Sequence, residues 1–193
     1  MPALLRRDTN FSWYMTARAF SLVGGMGTAF HTVYALSHYG ASARHVGYFT
    51  MALYGGQIAG TLAFGWLADR AGHRVVMLIG VVALAAANML PLVAPDLAWF
   101  TLAFVVTGLT HAAISVSNMN ILLEFAPTTE ERPTYVGLGN TLAAPFAFTA
   151  PLCAGVIADV AGFGAVFVAS VVSTLAGVGV FALRVREPRH AAV

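Results

Sequence analysis

The chain has 193 residues, of which 59% are hydrophobic and only 9% are charged. About a quarter of the residues of a typical soluble domain are charged, so this composition excludes an ordinary soluble protein and indicates an integral membrane protein. The net charge of +2 comes from arginines in short turns, a pattern that does not favour nucleic acid as a partner. A disulfide framework is excluded, because Cys153 is the sole cysteine.

Six apolar stretches are long enough to cross a hydrocarbon core of ~30 Å, which takes about twenty helical residues. In chain order they cover residues 11–36, 46–67, 75–93, 97–123, 135–157 and 163–183. The sequence therefore predicts an all-α membrane protein with six transmembrane helices in one domain, residues 1–193.

The arginines predict the orientation of these spans. With six crossings, all but one of the arginines outside the spans fall on one side of the membrane, and only Arg44 falls on the other. The larger group is Arg6, Arg7, Arg70, Arg74, Arg132, Arg184, Arg186 and Arg189. By the positive-inside rule, both termini are predicted to be cytoplasmic in a multi-pass protein of the plasma membrane.

A charged turn joins the second and third apolar stretches. Residues 65–74 read Gly-Trp-Leu-Ala-Asp-Arg-Ala-Gly-His-Arg. Asp69 is predicted to cap the next helix, and Gly72 to supply the positive φ of a tight reversal. Arg74 is expected at the water boundary.

This turn resembles the signature loop of the major facilitator superfamily, Gly-x-Leu-Ala-Asp-Arg-x-Gly-basic-basic, and departs from it at His73, where the family has Arg or Lys. The resemblance implies a transporter that moves a small solute by alternating access. It also implies a gate at the cytoplasmic helix ends, formed by Gly65, Asp69, Arg70, Gly72, His73 and Arg74 together with Glu124.

A complete molecule of that family has twelve spans, so six spans correspond to one half of a transporter. In N-terminal halves, the fourth span carries an Arg four residues before a Gly. Phe104 takes that place before Gly108, and the chain therefore resembles the C-terminal half.

An internal repeat accompanies the turn. Residues 155–162 repeat the pattern of residues 65–72 at an offset of 90, and Val136-Gly137 repeats Val46-Gly47 at the same offset. Three spans separate the copies, which indicates an inverted three-plus-three repeat with one unit over about 11–93 and the other over about 97–183. The alternative is a chance similarity of short Gly/Ala-rich strings.

Polar residues collect on one face of four spans when each is drawn at 100° per residue. The candidates for a substrate cavity are Arg18, His31, Gln57, His111, Ser115, Asn118 and Asn140. Hydrogen bonds between helices are the competing explanation for the amides, and Arg18 could instead extend its side chain to the cytoplasmic surface. No Asp or Glu lies in mid-span, so His111, His31 or a missing half could carry protons, or the transporter could be a facilitator.

His31, His38 and His45 are spaced by sevens, but the turn at Tyr39-Gly40 breaks the helix that would align them. No metal site or cofactor is predicted, and no set of side chains has the spacing of a catalytic site, so an enzyme is not predicted.

The polar faces would be costly if they faced lipid. The predicted partners are therefore the lipid bilayer, a small-molecule substrate with protons as a candidate co-substrate, and a second six-helix half. This half could be a second copy or a separate N-terminal half. The alternative function is a truncated or non-transporting membrane subunit that packs with a partner half.

Overall fold

The computed structural model describes residues 2–187, and every regular element among them is helical. The helices, numbered in chain order, are α1 Pro2–Arg7, α2 Thr9–Gly24, α3 His31–His38, α4 Ala43–Ala71, α5 His73–Val93, α6 Leu97–Phe125 and α7 Arg132–Arg184. A 3₁₀ segment, Gly25–Phe30, joins α2 to α3. The predicted all-α class is confirmed for this part of the chain. Arg189, which contributes to the predicted arginine asymmetry, lies outside the described residues.

The glycine-rich end of α2 brings the backbone close to two neighbouring helices. The side chain of Asn88 in α5 donates a hydrogen bond to the Gly24 carbonyl at 3.1 Å. A Cβ on Gly27 would lie 2.7 Å from the hydroxyl oxygen of Ser170 in α7. Small residues permit such close approaches between membrane helices. The first helical stretch is thereby packed against α5 and α7.

Helices α4 and α6 also meet through glycines. A Cβ on Gly56 would overlap the Val105 carbonyl, and one on Gly108 would overlap the Leu53 carbonyl. Helix α5 packs against α6 and α7, while α2 packs along α7. The described helices thus form a single bundle in which every helix from α2 to α7 has a neighbour distant in sequence.

Helix α7 consists of two stretches that meet at Gly162, whose φ is 80° and ψ is 169°. Gly72, between α4 and α5, has nearly the same conformation, with φ of 91° and ψ of 157°. This region of the backbone map is almost exclusive to glycine. The predicted positive φ at Gly72 is confirmed.

The predicted capping role of Asp69 is wrong. Helix α4 continues to Ala71, so Asp69 lies within its last turn, and Gly72 occupies the N-cap position of α5 without a side-chain cap. The carboxylate is therefore on the wrong side of the reversal to accept from the first N–H groups of α5.

One end of the bundle, here called the arginine-rich end, joins the start of the chain to both ends of α7. Arg7 forms an ion pair with Glu131, immediately before α7, and this hydrogen bond raises the pKa of Arg7. Asn10 and Arg186 exchange two hydrogen bonds, of 3.1 and 2.7 Å. Both the beginning and the end of α7 therefore lie at this end.

The opposite end is marked by contacts of the intervening turns. The Tyr39 hydroxyl donates to the Ala94 carbonyl at 2.8 Å, and the rings of Tyr34 and Phe163 lie 6.0 Å apart. Phe163 directly follows the break in α7. Helix α7 therefore runs from the arginine-rich end to the opposite end and returns.

Among the residues that the structure describes, three helices are long and apolar enough to span a membrane: α5, α6 and α7. The first predicted span is divided between α2, the 3₁₀ segment and α3, each shorter than a bilayer requires. Helix α4 has sufficient length, but Gln57, Tyr54 and other polar residues lower its mean hydropathy. Large apolar side chains such as Met51, Leu62 and Phe148 are more than 70% exposed, as expected for a surface that lipid covers.

Candidate functional site

Arg18 of α2 reaches the first stretch of α7. Its Nη2 donates to Asn140 Oδ1 at 3.3 Å, whereas Nη1 is buried without a hydrogen-bond partner in the part of the chain that the structure describes. Gly139 lies beside the guanidinium, since a Cβ there would be in ordinary van der Waals contact with Nη1 at 3.6 Å. Two of the predicted cavity residues, 122 positions apart, are thus in contact.

A cavity of about 100 Å³ opens beside Arg18, between α2, α5, α6 and the end of α7. Asn118, half-buried on α6, lines this cavity together with Tyr14, Ser21 and Thr110. Arg18, Asn118 and, through its hydrogen bond, Asn140 are therefore the predicted residues that the structure brings together. This space is called the Arg18 cavity below.

Gln57, His111 and Ser115 lie outside the Arg18 cavity. Gln57 is half-buried on α4 beside the exposed side chains of Tyr54 and Thr61. His111 and Ser115 are exposed on α6, which packs against α4. These polar groups therefore lie on the surface of the bundle, and their environment depends on what covers that surface.

His31 occupies a different setting, with only 1% of its surface exposed. Its ring centroid lies 5.7–6.1 Å from those of Phe100, Phe104 and Phe167. Neither ring nitrogen is in hydrogen-bonding geometry with a residue among 2–187, although the side chain of Asn88 on α5 interacts with the imidazole. His31 does not line the Arg18 cavity, so the structure separates these two predicted site residues.

The turn at residues 65–74 places its charged residues in distinct environments. Asp69 is exposed, and Arg70 stacks over the Trp66 ring with 4.0 Å between the guanidinium carbon and the ring centroid. His73 Nδ1 lies 3.1 Å from the hydroxyl oxygen of Ser117 on α6. Gly65 is half-buried within α4. Here the turn contacts α6 through His73.

Arg74 connects the start of α5 to the last turn of α7. Its Nε donates to the Val185 carbonyl at 2.7 Å and its Nη2 to the Ala182 carbonyl at 3.2 Å. A cation at this position satisfies carbonyl groups that a helix C-terminus leaves open. Glu187 lies beside Gly72, with its carboxylate 3.1 Å from the position of a Cβ there, and Glu124 is half-buried near the end of α6.

Sequence reasoning missed two groups near the site. Tyr14 lines the Arg18 cavity, and its position one helical turn before Arg18 could have revealed it. Asp8 accepts from the Phe11 N–H at 2.9 Å as the cap of α2 and from the Tyr135 hydroxyl at 2.9 Å. An Asp before a helical pattern is a capping signal, but nothing in the sequence indicates Tyr135 as its second partner.

The three histidines spaced by sevens do not converge. The His38 ring stacks on Tyr34 at 4.8 Å, and His45 completes a capping box with Ser42 at the start of α4. Within residues 2–187, no group of three His, Cys, Asp or Glu side chains is arranged to hold a metal ion.

The protein-family model described as Major Facilitator Superfamily matches residues 10–193 of this sequence. The match includes all of the cavity residues and the turn at 65–74.

Proposed function

Because this chain belongs to the major facilitator superfamily, whose members are membrane transporters, we propose that it moves a small solute by alternating access. The observation that carries the proposal is that Arg18 and Asn118, from two helices, line one cavity, and that Arg18 also donates a hydrogen bond to Asn140 on a third helix. Polar groups inside a membrane bundle are costly unless they serve a cavity or each other. A solute path beside Arg18 accounts for their arrangement.

The transporter fold proposed here has six membrane crossings in an inverted three-plus-three repeat. Two observations support it. The chain alternates between the arginine-rich end and the opposite end, and α7 returns to its starting end. Gly72 and Gly162, separated by the repeat offset of 90, share one backbone conformation. The arginine asymmetry supports a cytoplasmic location for the arginine-rich end, and the proposed membrane is the plasma membrane.

A second six-helix half completes the proposed transport path. Gln57, His111 and Ser115 lie at or near the surface of α4 and α6, where contact with lipid would leave polar groups unsatisfied. The covering half is either a second copy, related by a two-fold axis along the membrane normal, or a separate N-terminal half. His111 is the candidate proton carrier, because it is ionisable and exposed on this face.

The turn at 65–74 is the proposed cytoplasmic gate. Arg74 hydrogen-bonds the end of α7, and His73 contacts α6. A movement of this turn would therefore change contacts of three helices, α5, α6 and α7. Gly65, Asp69, Arg70, Gly72 and Glu124 complete the set that the family resemblance assigns to the gate. Asp69 is exposed in this conformation and is therefore available to pair when the helix ends rearrange.

Transport and assembly test this proposal together. The purified chain, in a Cys153→Ala background because Cys153 is exposed, is reconstituted in proteoliposomes and screened for solute flux. Cysteines at Ser115 on two copies should crosslink more readily than cysteines at Val82, an exposed position on α5. Flux by the chain alone together with Ser115 crosslinks supports a homodimeric transporter.

Flux that appears only after a separate N-terminal half is added supports the two-chain version. A stable monomer that is inert under both conditions and protected at Ser115 contradicts the proposal. It favours a truncated or non-transporting membrane subunit.

A further inference from the structure

A polar pocket of about 350 Å³ lies at the arginine-rich end, where the start of α2 meets the end of α7. The Arg184 guanidinium lies over the Trp13 ring, with its central carbon 5.1 Å from the ring centroid. The hydrogen bonds between Asn10 and the backbone of Arg186 hold the two chain segments together. This space is called the arginine pocket below, and its lining is Thr9, Asn10, Trp13, Leu183, Arg184 and Arg186.

The arginine pocket carries positive charge that the described residues do not neutralise. Among residues 2–187, no acidic side chain lines it, and neither Arg184 nor Arg186 forms an ion pair. Both arginine side chains are exposed. The acids nearest in sequence are placed elsewhere, since Asp8 caps α2 and the Glu187 carboxylate lies beside Gly72. Two such guanidinium groups suit a phosphate, whose oxygens match their planar arrangement of donors.

One face of α2 leads from this pocket toward the middle of the bundle. Thr9, Trp13, Thr16 and Phe20 follow at spacings of four, three and four, and all four are exposed. Such spacings place them on one side of the helix. At 1.5 Å per residue this face extends about 16 Å, roughly half of a hydrocarbon core of ~30 Å. The face therefore has the depth of one membrane leaflet, with Trp13 near the headgroup level, where tryptophan is enriched.

A groove of about 510 Å³ borders the same face, between α2 and the two stretches of α7. Its three hydroxyl groups, on Ser12, Thr16 and Ser173, already donate to backbone carbonyls. The rest of its wall is apolar, with side chains such as Leu5, Met15, Leu142 and Phe146. At ~30 Å³ for each water-sized group, the groove holds roughly seventeen such groups. This is comparable with one acyl chain of a membrane lipid.

We propose that this surface binds one anionic phospholipid from the leaflet at the arginine-rich end. The phosphate accepts hydrogen bonds from Arg184 and Arg186, and one acyl chain follows the exposed face of α2 into the groove. A choline or ethanolamine group would find no acidic partner in the lining, so an anionic headgroup is favoured. The surface is separate from the polar face of α4 and α6. The inference goes beyond the proposed transport function and depends only on insertion in a membrane.

The test is lipid selectivity at Trp13, measured on the purified full chain in mixed bilayers of phosphatidylcholine and phosphatidylglycerol. Acyl chains of one lipid at a time carry bromine, which quenches tryptophan fluorescence on contact. Trp66→Phe and Trp99→Phe replace exposed side chains and leave Trp13 as the sole tryptophan. At equal mole fraction, brominated phosphatidylglycerol should quench Trp13 more strongly than brominated phosphatidylcholine. The expected preference is roughly fivefold for each arginine.

Substitutions of the arginines test the headgroup contacts. Arg186→Gln preserves both hydrogen bonds to Asn10, because these use the backbone of residue 186, and should lower the preference about fivefold. Arg186→Lys should retain part of it. Arg184→Gln combined with Arg186→Gln should abolish it. The matched control, Arg70→Gln, replaces an exposed arginine outside the pocket and should keep the parent's preference.

A bulky side chain in the groove tests the acyl-chain contact. Ala19 is half-buried and lines the groove, so Ala19→Phe should reduce quenching by brominated phosphatidylglycerol severalfold. Ala59→Phe is the matched control, because Ala59 is exposed on α4 and does not line the groove. It should leave the quenching unchanged.

Equal quenching by the two lipids in the parent would overturn the inference, as would an undiminished preference in the double glutamine variant. Soluble glycerol phosphate should not compete; if it removes the preference, the pocket takes a soluble phosphate ester and the lipid assignment fails. Absence of quenching by either lipid would show that protein covers this face, and would also overturn it. The measurement involves no solute flux, so each of these results leaves the transport proposal intact. A lipid preference in a chain without flux contradicts transport alone.

Discussion

His31 presents an imidazole to three phenylalanine rings, and this setting decides how its role can be tested. Its nitrogens are outside hydrogen-bonding geometry among the described residues, although the Asn88 side chain interacts with the imidazole, so the ring serves mainly as a packing element in this conformation. His31→Phe should therefore leave the free energy of unfolding unchanged or raise it by about 1 kcal/mol, since it removes a buried polar group. Thermal or denaturant unfolding in detergent measures the change.

His31→Ala is the matched variant. It should lower stability by about 2–5 kcal/mol through the cavity that it leaves among the aromatic rings. If His31→Phe is as destabilising as His31→Ala, the ring nitrogens have a partner in another conformation, and His31 returns as a candidate proton carrier.

The residues around Arg18 show what a helical-wheel argument can and cannot predict. Drawing each span at 100° per residue placed Arg18, Asn118 and Asn140 on inward faces, and the structure groups these three. The same drawing placed His31 and Gln57 with them, but in the structure neither residue lines the Arg18 cavity. Helical periodicity gives the direction of a side chain, whereas the neighbouring helix that it meets depends on packing between segments distant in sequence.

At the scale of single helices, the contact of α4 with α6 depends on glycines at the crossing. A Cβ on Gly56 would overlap the backbone of Val105, whereas nothing lies within 4 Å of a Cβ on the adjacent Gly55. Gly56→Ala should therefore destabilise the protein by about 1–3 kcal/mol, because backbone atoms cannot move aside as side chains do.

Gly55→Ala is the control for this contact. It should be neutral or stabilise α4 by up to about 1 kcal/mol, since alanine is the better helix former. Unfolding in detergent compares the two variants, and equal stabilities would mean that the helices do not approach as closely as the structure indicates.

Element boundaries were the most predictable feature. The apolar stretches 75–93 and 97–123 correspond to α5, His73–Val93, and α6, Leu97–Phe125, because the hydrophobic runs end where Pro, Asp and Gly begin. The 3₁₀ segment after α2 was not predicted, although Gly24-Gly25-Met26-Gly27 marks its place. A glycine-rich run can adopt several backbone conformations. In the 3₁₀ conformation found here, Gly24 contacts Asn88 and Gly27 contacts Ser170.

At the scale of the whole molecule, two glycines separated by 90 residues reverse the chain in the same way. An alanine at Gly72 or Gly162 would have to adopt a positive φ near an extended ψ, at a cost of about 1–3 kcal/mol. Both Gly72→Ala and Gly162→Ala should lower the unfolding temperature, and the effect at Gly162 comes from the backbone alone because no atom lies within 4 Å of its Cβ position.

Gly164→Ala is the control, since Gly164 has an equally open surrounding and no positive φ. It should be tolerated. If Gly162→Ala is tolerated equally well, α7 continues as one helix through residue 162, and the support that this reversal gives to six crossings is lost.

The paired hydrogen bonds between Asn10 and Arg186 join residues 176 positions apart and have a consequence for biosynthesis. Arg18 and Asn140 likewise meet only after α7 has left the ribosome. Until then the first helix lies in the translocon or the lipid while the Arg18 guanidinium lacks its Asn140 partner. Insertion of such a helix by itself is unfavourable. A nascent chain arrested before residue 132 should therefore be retained by the insertion machinery or degraded, whereas one extended beyond residue 187 can fold.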